Sequence, residues 1–248
     1  MMSSIKWILK LALLATCAID VLASELTITT EESPPFNMVV DGKIVGVSSD
    51  KVVELMRRAE LSYRIDILPW ARAYQMALTT PQTCVFSTTR TAEREGKFKW
   101  VGPLAFNSWV LYGRADRGIH LNTLEDARSF RIGTYNADVR DTFLRGKGFH
   151  VDTVDNDTLN PRKLLHDRID LWASGPYEAA SQITASGLSR QIVPILTFNR
   201  VDLYLACNLT TPDEVVDHLN VILNCMDNDG TSMKVDRNYD NWPQRRRQ

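Results

Sequence analysis

The chain has 248 residues, with 29 Lys+Arg against 30 Asp+Glu and 44% hydrophobic residues, the usage of a globular protein rather than a disordered or fibrous one. A net charge of −1 supplies no field to gather nucleic acid or an anionic membrane surface, and neither is expected as a partner. Four cysteines are too few for a disulfide scaffold and none is spaced C-x-x-C, so no metal site and no cofactor is predicted.

The first segment reads as an address. Lys6 and Lys10 flank the start of an apolar stretch from Leu11 to Ile19, and Val21-Leu22-Ala23 ends it with residues that suit signal peptidase. Residues 1–23 are therefore predicted to be a cleaved secretory signal, leaving a protein exported to the periplasm. The run is too short to cross a bilayer core of about 30 Å. Leu14-Ala15-Thr16-Cys17 also resembles a lipoprotein box, but Thr is a poor residue before a lipidated Cys. Export leaves Cys84, Cys207 and Cys225 in an oxidising compartment. A bridge between Cys207, in an apolar strand pattern, and Cys225, near the end of the following helical pattern, is predicted, with Cys84 a buried free thiol.

Leu26 to Thr30 alternates like a strand, and Met38 to Val45 around Asp41-Gly42 reads as a hairpin with a type I′ turn. Ser48-Ser49-Asp50 offers an N-cap to a helix from Lys51 to Ala59. Tyr63 to Leu68 follows as a strand, Arg72 to Leu78 as a helix and Thr83 to Ser87 as a buried strand. Gly102-Pro103 reads as a breaker, with a strand from Ser108 to Tyr112 after it.

A second unit then repeats the alternation. Its strands are Arg131 to Tyr135, His150 to Val154, Ile169 to Ala173 and Ile192 to Leu196; its helices are Asp138 to Gly146, Pro161 to Arg168 and Tyr177 to Ala185. Leu203 to Cys207 is a further strand. Thr211-Pro212-Asp213-Glu214 opens an amphipathic helix, with Thr at N-cap and Pro at N1. Strands alternating with helices in two similar units, with no Ser/Gly-rich linker, predict an α/β fold of two lobes in contact.

Several segments together resemble the bacterial periplasmic solute-binding proteins of the amino-acid type, family 3. They are Thr30-Glu31-Glu32-Ser33-Pro34-Pro35-Phe36, Asp41-Gly42-Lys43-Ile44-Val45-Gly46 and Ser87-Thr88-Thr89-Arg90-Thr91-Ala92-Glu93-Arg94. Phe98-Lys99-Trp100-Val101-Gly102-Pro103, Arg131-Ile132-Gly133 and Asp167-Arg168-Ile169-Asp170-Leu171-Trp172 follow in the same order. Each piece is common alone; their order and spacing carry the resemblance. It implies a type II periplasmic binding fold, with lobe one from residues 24–110 and 201–248 and lobe two from 111–200. It also implies a monomer that closes on a small-molecule solute and presents it to the membrane permease of an ABC transporter.

The resemblance places Arg94 as the grip on a solute carboxylate, with Ser87 and Thr89 beside it. A guanidinium suits that task because its planar fork matches a carboxylate and stays charged. The competing reading pairs Arg94 with Glu93 or Glu95 on a solvated surface. Arg72 and Arg90 are read either as added positive charge in the cleft or as surface ion pairs. Trp70 is read either as a flat face for the solute or as a core aromatic. On lobe two, Asn136 and Arg140 open a helix whose N-terminus favours anions, and Asp138 is read as its cap.

Two family features are missing: an aromatic at the place of Ser33 and an Asp at the place of Gly175 that would take an α-ammonium. Glu32 is the candidate replacement. No G-x-S-x-G, H-E-x-x-H or P-loop pattern occurs, so no enzymatic activity is expected. A soluble ligand sensor and a dehydratase-like enzyme on the same fold remain the alternatives.

Overall fold

The computed structural model describes residues 25–240 and 242; the predicted signal over residues 1–23 and the Cys17 box lie outside the described residues. In chain order the elements begin with β1 (Leu26–Thr30), β2 (Met38–Val40), β3 (Lys43–Val45), α1 (Val47–Arg58), β4 (Tyr63–Ile67), α2 (Trp70–Thr79) and β5 (Thr83–Thr89). They continue through β6 (Lys99–Arg114), β7 (Arg131–Tyr135), α3 (Val139–Gly146), β8 (His150–Val154), α4 (Asn160–Leu165) and β9 (Leu171–Ser174). The chain closes with α5 (Pro176–Ala185), β10 (Ile192–Cys207), α6 (Asp213–Asn228) and α7 (Thr231–Tyr239).

One eight-stranded sheet runs in the order β4-β1-β5-β10-β6-β9-β7-β8. Its outer strands are parallel on each side, β4-β1-β5 at one end and β9-β7-β8 at the other. Two 16-residue antiparallel strands, β6 and β10, pair along their length from Cys207↔Lys99 to Ile192↔Arg114. β5 joins the Leu203–Cys207 end of this ribbon, and β9 joins its other end at Val110↔Ser174. The ribbon is thus the shared spine of two α/β halves.

Each half buries its own apolar groups. Ile28, Leu55, Met56, Phe86 and Leu219 pack together in the first half, and Leu164, Ile169, Trp172 and Ile183 in the second. At about 1.5–3 kcal/mol per large apolar side chain removed from water, these two cores hold the halves as units.

Several predicted elements change length. The strands read as Ser108 to Tyr112, Ile192 to Leu196 and Leu203 to Cys207 are parts of β6 and β10. Gly102-Pro103 does not break β6. It sits where the ladder shifts between Leu203 and Leu205, a bulge that tolerates a residue without an N–H.

Helix α1 starts at Val47, so Ser48 and Ser49 lie buried inside it instead of capping it. The carbonyls of Pro35 and Phe36 accept from the amides of Val47 and Ser48 at 2.9 and 3.0 Å. A Cβ on Gly46, with φ of 135°, would lie 2.3 Å from the Phe36 oxygen, so only glycine passes here. Helix α6 begins at Asp213 with Pro212 at its N-cap, one residue later than predicted. The Asp41-Gly42 hairpin forms as read, with φ of 50° and 74°.

The predicted disulfide is corrected. Cys84 and Cys207 are bonded, and Cys225 is free and exposed. The reason is register: Cys84 and Cys207 are direct partners across β5 and β10, with Cα atoms 3.9 Å apart. On α6 the buried face is Val216, Leu219, Ile222, Leu223 and Met226, which turns Cys225 outward.

Candidate functional site

The cleft lies where the parallel strands of both halves end, the place where open α/β sheets present ligand sites. Glu31 follows β1, Thr89 ends β5, Tyr135 ends β7 and Gly175 follows β9. The middle of the ribbon supplies Asn107, Val201 and Leu203. Glu31, Thr89, Tyr135 and these ribbon residues line an inner chamber of about 50 Å³, and Glu31 and Tyr135 also line an adjoining outer chamber of about 500 Å³.

Arg94 dominates the inner chamber. It sits in the turn just before the single helical turn Glu95–Lys97, only 7% exposed. Its guanidinium carbon lies 4.8 Å from the Tyr74 ring centre and 5.8 Å from that of Trp70. Its nitrogens reach only the carbonyl oxygens of Thr89 and Ala137, both at 3.4 Å, and it makes no ion pair with Glu93 or Glu95. Glu95 instead pairs with Arg90. A buried guanidinium held by rings and long carbonyl contacts keeps most of its donor capacity for something else.

Thr89 is buried beside it, and Ser87 lines the same chamber. Ser87 has φ of 58° and Ala137 φ of 62°, a conformation that costs a residue with a side chain about 1–2 kcal/mol. The strained turn at Ala137 aims its carbonyl at Arg94 and at Trp70, whose indole Nε1–H donates to it at 2.9 Å. Ser87 Oγ–H donates to Asn37 Oδ1.

Arg140, 7% exposed, opens α3 and reaches both chambers. Asp138 caps the helix, accepting from the Arg140 amide at 2.6 Å, and also takes the guanidinium Nη2 at 2.6 Å and Nε at 3.0 Å. The Arg140 Nη1 atom is buried with no partner.

Of the remaining predicted residues, Glu32 and Asn136 are exposed and line the outer chamber, with Asn136 Nδ2 donating to Asp155 at 2.7 Å. Arg72 and Arg90 do not join the site. Arg72 is exposed on α2. Arg90 is held outside by Glu95 and by the faces of Trp100 and Tyr204, each 5.6 Å away.

The carboxyl groups deepest in the cleft were missed from the sequence. Glu31 accepts from the Tyr135 hydroxyl at 2.8 Å, and burial pushes its carboxyl up to about 8 against the lowering effect of that bond. Glu178 Oε1 accepts from Ser33 Oγ at 2.9 Å and Asn107 Nδ2 at 3.0 Å. Asp157 accepts from Trp172 Nε1, Asn160, Ser174 and Gln182. Burial raises the last two carboxyls as well. One signal pointed to Glu178: Gly175-Pro176-Tyr177-Glu178 puts an acid at the third position of a helix, from which a side chain reaches back over the helix start. Glu31 carried no such signal, because its neighbour Glu32 is chemically identical and only strand phase separates them.

The sequence model of the bacterial extracellular solute-binding proteins, family 3, matches residues 26–242. Comparison with curated proteins returns no significant match. Among solved structures the chain is similar to a histidine kinase sensor domain with similarity to periplasmic binding proteins. That pair shares a TM-score of 0.79, 13% identity and coverage of 88% of this chain and 96% of that one. It is also similar to holo ArgBP from T. maritima, with a TM-score of 0.71, 19% identity and coverage of 83% and 92%. The ligand-binding core of GluR0 from Nostoc punctiforme, in complex with (L)-glutamate, gives 0.73, 14% identity and coverage of 87% and 99%. At these identities the likeness is one of fold: a two-lobed type II periplasmic binding architecture.

Proposed function

The chain belongs to family 3 of the bacterial extracellular solute-binding proteins, and from that premise we propose that it captures a small carboxylate-bearing solute of amino-acid type and presents it to the membrane permease of an ABC transporter. In this reading the signal over residues 1–23 exports the chain to the periplasm. Lobe one is 24–110 with 201–248, lobe two is 111–200, and the ribbon of β6 and β10 hinges them.

The observation that carries the reading is Arg94, a buried guanidinium at the cleft floor that forms no ion pair among the described residues. Burial of such a group is favoured further when a polar partner arrives with the ligand. Thr89 and Ser87 add hydroxyls beside it, and the unpartnered Nη1 of Arg140 supplies a donor from the opposite lobe. Trp70 and Tyr74 pack against the planar Arg94 fork and hold it in place.

Isothermal titration of the exported chain with a panel of amino acids and small organic acids tests the reading. A carboxylate-bearing member should bind, and Arg94→Ala should lose it.

A further inference from the structure

The two halves touch directly across the cleft. The Trp70 indole Nε1–H donates to the Ala137 carbonyl at 2.9 Å, Ser33 Oγ to Glu178 Oε1 at 2.9 Å and the Tyr135 hydroxyl to Glu31 at 2.8 Å. The Phe36 ring meets the Tyr177 ring edge-on, with centres 6.0 Å apart.

The Trp70 bond differs from the other two. Ser33, Glu178, Tyr135 and Glu31 all line the chambers, so a molecule held there competes for their polar atoms. Ala137 lines neither chamber, and its carbonyl keeps its donors whether the chambers are filled or not. Both ends of the bond are also fixed. Trp70 opens α2, only 7% exposed, and its ring packs with Ala73, Phe98 and Trp100 in the first half. The body of the side chain thus belongs to one half, while its single donor reaches the other. Ala137 stands in the turn before α3 with φ of 62°, which turns its oxygen towards the first half, where Arg94 Nη2 also arrives at 3.4 Å. When the halves part, the indole N–H and the carbonyl return to water. The net gain of the bond therefore belongs to the shut arrangement alone.

We propose that Trp70 is the latch of the cleft: a positioning residue whose indole N–H, bonded to the Ala137 carbonyl, favours the shut arrangement through the protein rather than through the solute, so that the halves come together before a solute arrives and part more slowly around any solute enclosed. This rests on the reading that the ribbon of β6 and β10 is a hinge, and it is independent of which solute binds. One such bond changes the ratio of shut to open molecules by about three- to tenfold.

Spin labels on the free, exposed thiol of Cys225 in the first half and on Gly146→Cys in the second report the separation of the halves in the exported chain without solute. Gly146 is exposed, and a Cβ there meets nothing within 4 Å. With Trp70 intact the labels should show a shorter and a longer separation. Trp70→Phe, which keeps an aromatic ring beside Arg94 and loses the N–H, should lower the short-to-long ratio about three- to tenfold with the fold retained. Benzothienylalanine at the same position, which puts sulfur in place of the N–H and preserves the ring shape, should do the same and serves if phenylalanine disturbs the packing. Trp70→Phe with Ser33→Ala should lower the ratio further, which brings into range a wild type that is almost wholly shut. Any solute that binds should leave Trp70→Phe faster than wild type by one common factor. Identical distributions in all these proteins overturn the latch and leave the solute-binding reading standing. A release factor that differs from solute to solute would put the indole on the solute itself and overturn it as well.

Discussion

The carboxylate of Glu178 occupies the space that a side chain on Gly175 would fill. A Cβ added to Gly175 would lie 1.9 Å from Glu178 Oε2 and 2.8 Å from Asn107 Nδ2. Gly175 has φ of −80°, open to any residue, so what demands glycine here is the neighbouring carboxylate rather than the backbone. An acid side chain thus occupies the space beside Gly175, reaching it from three residues further along the chain.

Gly175→Ala should push Glu178 off Ser33 and Asn107 and cost about 1–3 kcal/mol, the usual penalty for overfilling a packed site. On a Glu178→Ala background the same substitution should cost much less, because the clash partner is gone. Chemical denaturation of the four proteins measures the coupling; equal cost on both backgrounds would show that the two residues do not compete for this space.

Removing the bridge by Cys84→Ala with Cys207→Ala should cost about 2–5 kcal/mol, since it closes a long loop in the unfolded chain. In the exported chain, unfolded without reductant, one thiol should label, Cys225. Three labelled thiols would contradict the pairing.

The ligand-free protein should lose stability as pH rises from about 4.5 to about 8. Glu31 is protonated in both states below 4.5; above that, the unfolded chain gives up the proton while the folded chain keeps it until about 8. The loss reaches up to about 1.4 kcal/mol per pH unit, and burial shifts Glu178 and Asp157 with the same sign. Glu54 and Asp229, held down near 2 by arginine and threonine partners, act oppositely but below that window. Melting temperatures across this range should slope downward, and Glu31→Gln should flatten the slope. A wild-type profile that rises instead would exclude a proton on Glu31.

Much of the architecture was legible because period and turn chemistry are local. The Asp41-Gly42 turn, the short strands and the amphipathic face of α6 all follow from neighbours in sequence. What was not legible depends on register between distant strands. Cys84 meets Cys207 across 123 residues, and nothing near either one distinguishes that partner from Cys225. The central stretch of β10, Thr197 to Asp202, is polar enough to read as a loop, yet it is held as strand by pairing with β6.

The site divides in the same way. Arg94, Ser87, Thr89 and Arg140 could be singled out because their chemistry sits in recognisable segments. Arg72 and Arg90 carry the same chemistry but face outward, since the phase of α2 and the grip of Glu95 decide their direction. Glu31, Asp157 and Glu178 meet around one chamber only in the fold, because they follow the ends of three separate strands, β1, β8 and β9.

The central claim, that Arg94 is the carboxylate grip of a closing cleft, is tested most directly by titrating wild type, Arg94→Ala and Arg94→Lys with the tightest carboxylate-bearing solute found. At about 100 Kd that solute should add about 2.7 kcal/mol to wild-type stability. Arg94→Ala should weaken binding by about 2–5 kcal/mol, thirty-fold or more, and Arg94→Lys should restore little, because an ammonium cannot reproduce the fork. An Arg94→Ala protein that folds and binds as tightly as wild type would contradict the account.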